Sequence, residues 1–114
     1  MDHREKRSVP RVKAGIMVEI YDEHEKNLLG IGTIANLGIN CAGLETIVVL
    51  VNGKKFVMRF LIEKKFLVTV HAVVARSQQM ERKRYYGVRF DKIDLLGVEC
   101  LQQYINQQLK ETRE

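Results

Sequence analysis

The chain has 114 residues and a mass of 13.2 kDa, is 46% hydrophobic and 29% charged, and contains one proline, two cysteines and no tryptophan. That is the size of a single domain, which buries roughly two thirds of its unfolded surface and needs neither disulfides nor structural metal to hold a core. Nineteen basic against fourteen acidic residues leave a net charge of +5 and a pI near 9.4, which favours an anionic partner. No run approaches the ~18 consecutive apolar residues of a membrane span, and Met1 to Arg7 is too polar for a secretory signal, so a cytoplasmic protein is expected. Cys41 and Cys100 lie far apart with no CxxC and read as reduced thiols.

Residues 1–11 carry Arg4, Lys6, Arg7 and Arg11 with almost no apolar partner, the description of a flexible, solvated basic arm. Residues 12–114 form the folded domain. In its first strand Ile16, Val18 and Ile20 alternate with Met17, Glu19 and Tyr21, and Asp22 to Asn27 follows as a turn. Leu29, Ile31 and Thr33 alternate with Gly30 and Gly32 in a second strand, where the glycines suggest a bulge or a close backbone approach. Asn36 to Gly43 reads as a polar, small-residue loop. Asn52-Gly53 between the apolar runs Leu44–Val51 and Phe56–Ile62 predicts a hairpin.

Phe66 to Ala75 is apolar on both faces and predicts a central strand, followed by a polar turn from Ser77 to Lys83 and a strand from Tyr85 to Phe90. Asp94 then caps a helix over 95–110, with Leu95, Val98, Leu101, Ile105 and Leu109 on its apolar stripe. About six strands and one helix indicate a small antiparallel β-barrel or sandwich with a helix packed on it.

Nothing signals catalysis. His3, His24 and His71 lack metal-ligand spacing, and there is no GxSxG, P-loop or helix-opening GxGxxG, so neither an enzyme nor a metal site is expected. Lys83 to Phe90 resembles an RNA-recognition strand only superficially, because Gly87 falls where a stacking ring belongs.

Three segments in order carry a resemblance. Arg7-Ser8-Val9-Pro10-Arg11 supplies an RxxxR arm, Asn36-Leu37-Gly38-Ile39-Asn40-Cys41 follows the frame [D/N]xSxxG, and Gly87-Val88-Arg89-Phe90 runs into the terminal helix. Together these resemble the bacterial PilZ domain family over about residues 4 to 110, with a degenerate second motif, and the resemblance implies a β-rich fold, a small six-stranded antiparallel split β-barrel with a C-terminal α-helix.

For function the resemblance implies binding of cyclic di-GMP, a bacterial second messenger, by a receptor or adaptor. Its arm would order over the ligand and signal through an unidentified protein effector in motility, biofilm or exopolysaccharide control. Arg7 and Arg11 would grip phosphate or the guanine O6/N7 edge, or stack on a base. Lys6 would add charge at the place tied in the family to ligand stoichiometry. Asn36 would accept from a guanine edge, more weakly than a carboxylate.

Two positions depart from the pattern. Gly38 stands in place of serine, a loss on the order of 1 kcal/mol. Cys41 stands in place of glycine, at a cost of roughly 1–2 kcal/mol if that position needs φ > 0, unless Gly43 takes over the turn.

Two other readings compete. One is a degenerate domain that binds no cyclic di-GMP and acts as a protein interaction module through the helix face around Tyr104 or exposed strand edges. The other is nonspecific nucleic-acid binding by the arm with Lys54, Lys55, Lys64, Lys65 and Arg82-Lys83-Arg84, disfavoured because these charges are scattered in turns with few aromatics between them.

Overall fold

The computed structural model describes residues 11–113. Six strands are followed by one helix: β1 (Val12–Tyr21), β2 (Leu28–Leu37), β3 (Cys41–Thr46), β4 (Lys55–Ile62), β5 (Phe66–Gln79), β6 (Arg84–Ile93) and α1 (Leu95–Arg113). The strands close into an antiparallel barrel in the order β1-β2-β3-β6-β5-β4. Alternation sets the wall: Val18, Ile20, Ile34, Leu44, Met58, Val70 and Val88 point inward and are buried, whereas Met17 and Ile31 stay exposed. Each fully buried aliphatic side chain contributes about 1.5–3 kcal/mol.

Two bulges break the period where the site will form. Between Lys13 and Ile16, β1 carries one residue more than β2, and Gly15 takes φ 67° there. Between Ile34 and Asn36, β2 carries one residue more than β3. Ile34 and Leu37 are therefore both buried although three positions apart, and Asn36 is turned outward. The close approach expected at the β2 glycines is real at Gly32, where a Cβ would lie 2.6 Å from the Glu45 carbonyl oxygen.

Each end of the barrel is plugged. At one end the Asp94 carboxylate accepts the Gly97 N–H at 2.7 Å, the expected cap, and α1 carries Leu101 and Ile105 into the core. The helix runs to Arg113 rather than 110, and Leu95 is exposed, because the first turn leaves the sheet before the apolar stripe reaches the barrel. At the other end, residues 47–51 cross the opening and bury Leu50.

That crossing overturns the expected hairpin. β3 ends at Thr46 and pairs with β2 and β6, while β4 pairs with β1 and β5, so Leu44–Val51 and Phe56–Ile62 are not ladder partners. The Asn52-Gly53 turn exists, with Gly53 at φ 84° and Lys54 N–H donating to Val51 C=O at 3.0 Å, but it rests on β5 through Gly53 N–H to Val74 C=O at 2.8 Å. Burial of Leu50 and a buried tyrosine redirect the chain. The Tyr86 hydroxyl donates to Val48 C=O and accepts from Leu50 N–H, both at 2.8 Å, and so satisfies backbone that has left the ladder.

Two boundaries also shift. The expected loop 36–43 shrinks to residues 38–40, with Gly38 N–H donating to Cys41 C=O at 2.8 Å. The expected turn over Ser77–Lys83 is strand as far as Gln79, because Ser77, Gln78 and Gln79 pair with Tyr86, Tyr85 and Arg84. A bulge on β5 between Val74 and Arg76 lies opposite Gly87.

Replacing Tyr86 with phenylalanine keeps the ring but strands the Leu50 N–H and the Val48 carbonyl. The expected loss is about 2 kcal/mol in urea-induced unfolding, with the m-value unchanged.

Candidate ligand-binding site

The outward turn of Asn36 places its carboxamide on the barrel's outer surface, opposite Lys13 on β1 and Gly43 on β3. Arg11, directly before β1, reaches it: Arg11 Nη1 donates to Asn36 Oδ1 at 3.2 Å. Asn36 Nδ2 in turn donates to the Tyr85 hydroxyl at 3.0 Å. Arg11, Asn36 and Tyr85 thus form one chain of hydrogen bonds from the start of β1 to β6.

Small residues make room for it. A Cβ on Gly43 would collide with the Tyr85 hydroxyl and come within 2.6 Å of Asn36 Nδ2, so the ring tip lies in the space that glycine leaves. Gly43 faces Gly87 across the β3–β6 ladder, and Arg76 covers Gly87, its Nε 2.8 Å from where a Cβ would stand. Beside this row runs an open groove lined by Lys13, Ala14, Gly15, Thr33, Ala35, Asn36, Glu45 and Tyr85. Lys83 Nζ approaches Glu45 Oε1 at 2.7 Å and neutralises the groove's one carboxylate.

One buried polar atom in the cluster has no partner among the described residues. The Arg11 Nε–H is buried and makes no hydrogen bond among the described residues. Such a donor costs about 1–3 kcal/mol left unmatched and is the group that an acceptor entering here would satisfy.

Of the six residues expected at the site, the fold brings Arg11 and Asn36 together. Arg11 is half-buried against Asn36, which moves it out of the solvated arm. Lys6 and Arg7 lie outside the described residues. Gly38 is buried in the β2–β3 turn, and Cys41 opens β3 opposite Arg89.

The strain expected at Cys41 is absent. Positive φ among non-glycine residues occurs at Glu25, Glu63 and Lys64, and among glycines at Gly15, Gly30 and Gly53. Cys41 is thus an ordinary strand residue, and Gly43 serves as a clearing under Tyr85 instead of a replacement turn. Tyr85 itself was missed in the sequence. Its signal was the Tyr85-Tyr86 pair, since adjacent strand residues face opposite ways and Tyr86 is fully buried.

A second hollow, about 250 Å³, lies between α1 and the β4–β5 turn, with Ile62, Phe66, Leu96, Cys100 and Tyr104 on its walls. Burial, aided by Glu63 and Glu111, pushes the Tyr104 hydroxyl above the usual tyrosine range. Among the described residues no helix is long and apolar enough to cross a membrane, and no three His, Cys, Asp or Glu side chains gather to hold a metal.

With this geometry in place, comparison with known proteins is direct. The PilZ domain model matches residues 5–107, and the chain belongs to the PilZ domain family. The family comprises non-catalytic receptor and adaptor modules.

Among solved structures, the Bacillus subtilis inhibitor of motility MotI/DgrA superposes with a TM-score of 0.80 at 19% identity, over 100% of this chain and 59% of that one. The PilZ domain of Escherichia coli YcgR with cyclic di-GMP gives a TM-score of 0.73 at 14% identity, over 95% of both chains. The K. pneumonia MrkH–cyclic di-GMP complex gives 0.73 at 14% identity, over 94% of this chain and 54% of that one. These likenesses establish the fold. The chain thus spans only about three fifths of MotI/DgrA. Curated proteins give no significant sequence match.

Gly43→Ala tests the clearing. The added methyl is expected to part Tyr85 from Asn36, so that in ¹⁵N-labelled protein the Asn36 side-chain amide resonances move to where Tyr85→Phe puts them. Unmoved resonances would show that Tyr85 does not lie over Gly43.

Proposed function

We propose that this chain is a cyclic di-GMP receptor and adaptor of the cytoplasm, binding the dinucleotide in the groove beside Arg11, Asn36 and Tyr85. The observation that carries the reading is Arg11, its Nε–H unmatched among the described residues and its Nη1 bonded to Asn36, which lines an open groove whose one carboxylate is already paired. An arginine edge of that kind suits the O6 and N7 acceptors of guanine or a phosphate oxygen. Family membership and the likeness to two chains solved with cyclic di-GMP support the same ligand.

In this reading Asn36 Oδ1 is shared between Arg11 and the guanine edge, and Tyr85 holds the carboxamide in that orientation. Arg7 and Lys6 close over the ligand from the arm and add positive charge for the phosphates. Gly38 offers no hydroxyl, which weakens binding by about tenfold relative to serine. Cys41 carries no backbone penalty, since its φ is not positive. The ligand-covered arm would present a new surface to a protein effector.

Isothermal titration at physiological salt tests this. Saturable heat with cyclic di-GMP is expected in the micromolar range or tighter, unmoved by excess GMP, with stoichiometry reporting on Lys6. Arg11→Ala is expected to weaken binding at least tenfold, and Gly38→Ser to tighten it about tenfold. A folded wild-type chain giving no heat at millimolar ligand would overturn the reading in favour of an interaction module that needs no dinucleotide.

A further inference from the structure

The barrel wall is continuous along only part of β5. Phe66 to Val73 pair with β4 from Ile62 back to Lys55. Val74 then donates to Lys54 C=O at 3.0 Å and accepts from Gly53 N–H at 2.8 Å. Past it, β5 continues to Gln79 with β6 as its one ladder partner among the described residues. Residues 75–83 are exposed throughout, so the β5–β6 hairpin stands above the rim of the barrel.

Alternation decides which backbone groups face the free side. In an antiparallel ladder the N–H and C=O of one residue point the same way, and those of the next residue point the other way. Met80 N–H donates across the hairpin to Lys83 C=O at 2.9 Å, so Gln79 faces away from β6, and Ser77 does the same. The bulge between Val74 and Arg76 absorbs the extra residue and leaves Val74 facing the Gly53-Lys54 turn. The N–H and C=O of Ser77 and of Gln79 therefore form an extended row on the free side.

Such edges are commonly blunted by proline, lysine or a covering loop. Arg76-Ser77-Gln78-Gln79 has neither residue, and its one charge, Arg76, lies over Gly87 on the barrel's outer face.

The geometry points to β-strand addition, in which the edge Arg76–Gln79 takes an extended, acidic segment of a partner protein. Extension follows from the spacing of the free groups, which another strand matches. Acidity follows from charge. Arg76, Arg82, Lys83 and Arg84 stand on this hairpin against Glu81 alone, and Lys83 already has Glu45 as a partner. A second copy pairing through the same edge would bring two such basic hairpins together, and that like-charge approach disfavours self-association. The added strand would continue the line of β4 beyond Lys55, over the turn closed by exposed Val51, which offers an apolar contact. Ser77 and Gln79 do not line the groove beside Asn36, so this inference stands apart from the cyclic di-GMP reading while supplying the adaptor with an effector contact.

Amide hydrogen exchange read by NMR on the full chain tests it, with a synthetic peptide alternating glutamate and valine as probe. At millimolar peptide, exchange at the Ser77 and Gln79 amides is expected to slow at least fivefold, and a lysine–valine peptide is expected to leave it unchanged. Ser77→Pro removes a free-side donor without touching the β5–β6 ladder and should abolish the protection. Arg82→Glu, in the exposed turn, should weaken it about tenfold and serves as the readout if Ser77→Pro fails to fold. Three results would overturn the inference: no protection at millimolar acidic peptide, equal protection by the lysine peptide, or protection that grows with protein concentration alone and tracks a dimer mass. A single-stranded oligonucleotide that displaces the peptide but leaves Ser77 and Gln79 exchanging freely would assign the hairpin's charge to nucleic acid and count against it too.

Discussion

A strand in a closed barrel shows each side chain to the inside or to the outside, and only a bulge changes which. This constraint governs the rest of the molecule. Six strands whose inward positions are apolar fix the wall, and the extra residue in β2 between Ile34 and Asn36 reverses the phase at one point. Without that residue Asn36 would follow Ile34 into the core, where its amide would be buried unpaired. With it, Leu37 continues the core and Asn36 joins the outer surface, where Arg11 and Tyr85 match both ends of its carboxamide.

The site is therefore a property of the wall more than of any loop. Arg11 enters from the strand start, Asn36 from a bulged strand, Tyr85 from β6 and the clearing from Gly43 on β3. Strands hold such groups more precisely than loops do. Arg11 is already seated on Asn36, so in the proposed reading its side chain needs no further ordering at binding, which lowers the entropic cost. The segment preceding it carries further positive charge in Arg4, Lys6 and Arg7.

The far end of the barrel follows a different logic. Residues 47–51 must cross an open rim, and their backbone loses its ladder; the buried Tyr86 hydroxyl and Thr46, whose hydroxyl donates to Ile31 C=O at 2.8 Å and accepts from Val48 N–H at 3.1 Å, restore the missing bonds. The crossing leaves β4 beginning at Lys55, too short to flank β5 along its full length. The free edge of the hairpin is the geometric consequence. The open groove and the strand edge thus share β6, through Tyr85 and its pairing with Gln78.

By itself the sequence determined the elements that depend on neighbours along the chain: six alternating segments, the Asp94 cap and helix, the turn at Asn52-Gly53, and the arginine and asparagine of the PilZ pattern. What it could not determine was which strands are neighbours, because alternation is a local property and pairing is settled by burial between distant segments. Asn52-Gly53 has the local chemistry of a hairpin turn, yet the burial of Leu50 and the hydroxyl of Tyr86 send the chain across the barrel to β5 instead. Tyr85 joined the site for the same reason. Its outward direction was implicit in the Tyr85-Tyr86 pair, but only the tertiary structure decided which of the two rings the core would take, and that a glycine on a neighbouring strand would leave space for the other.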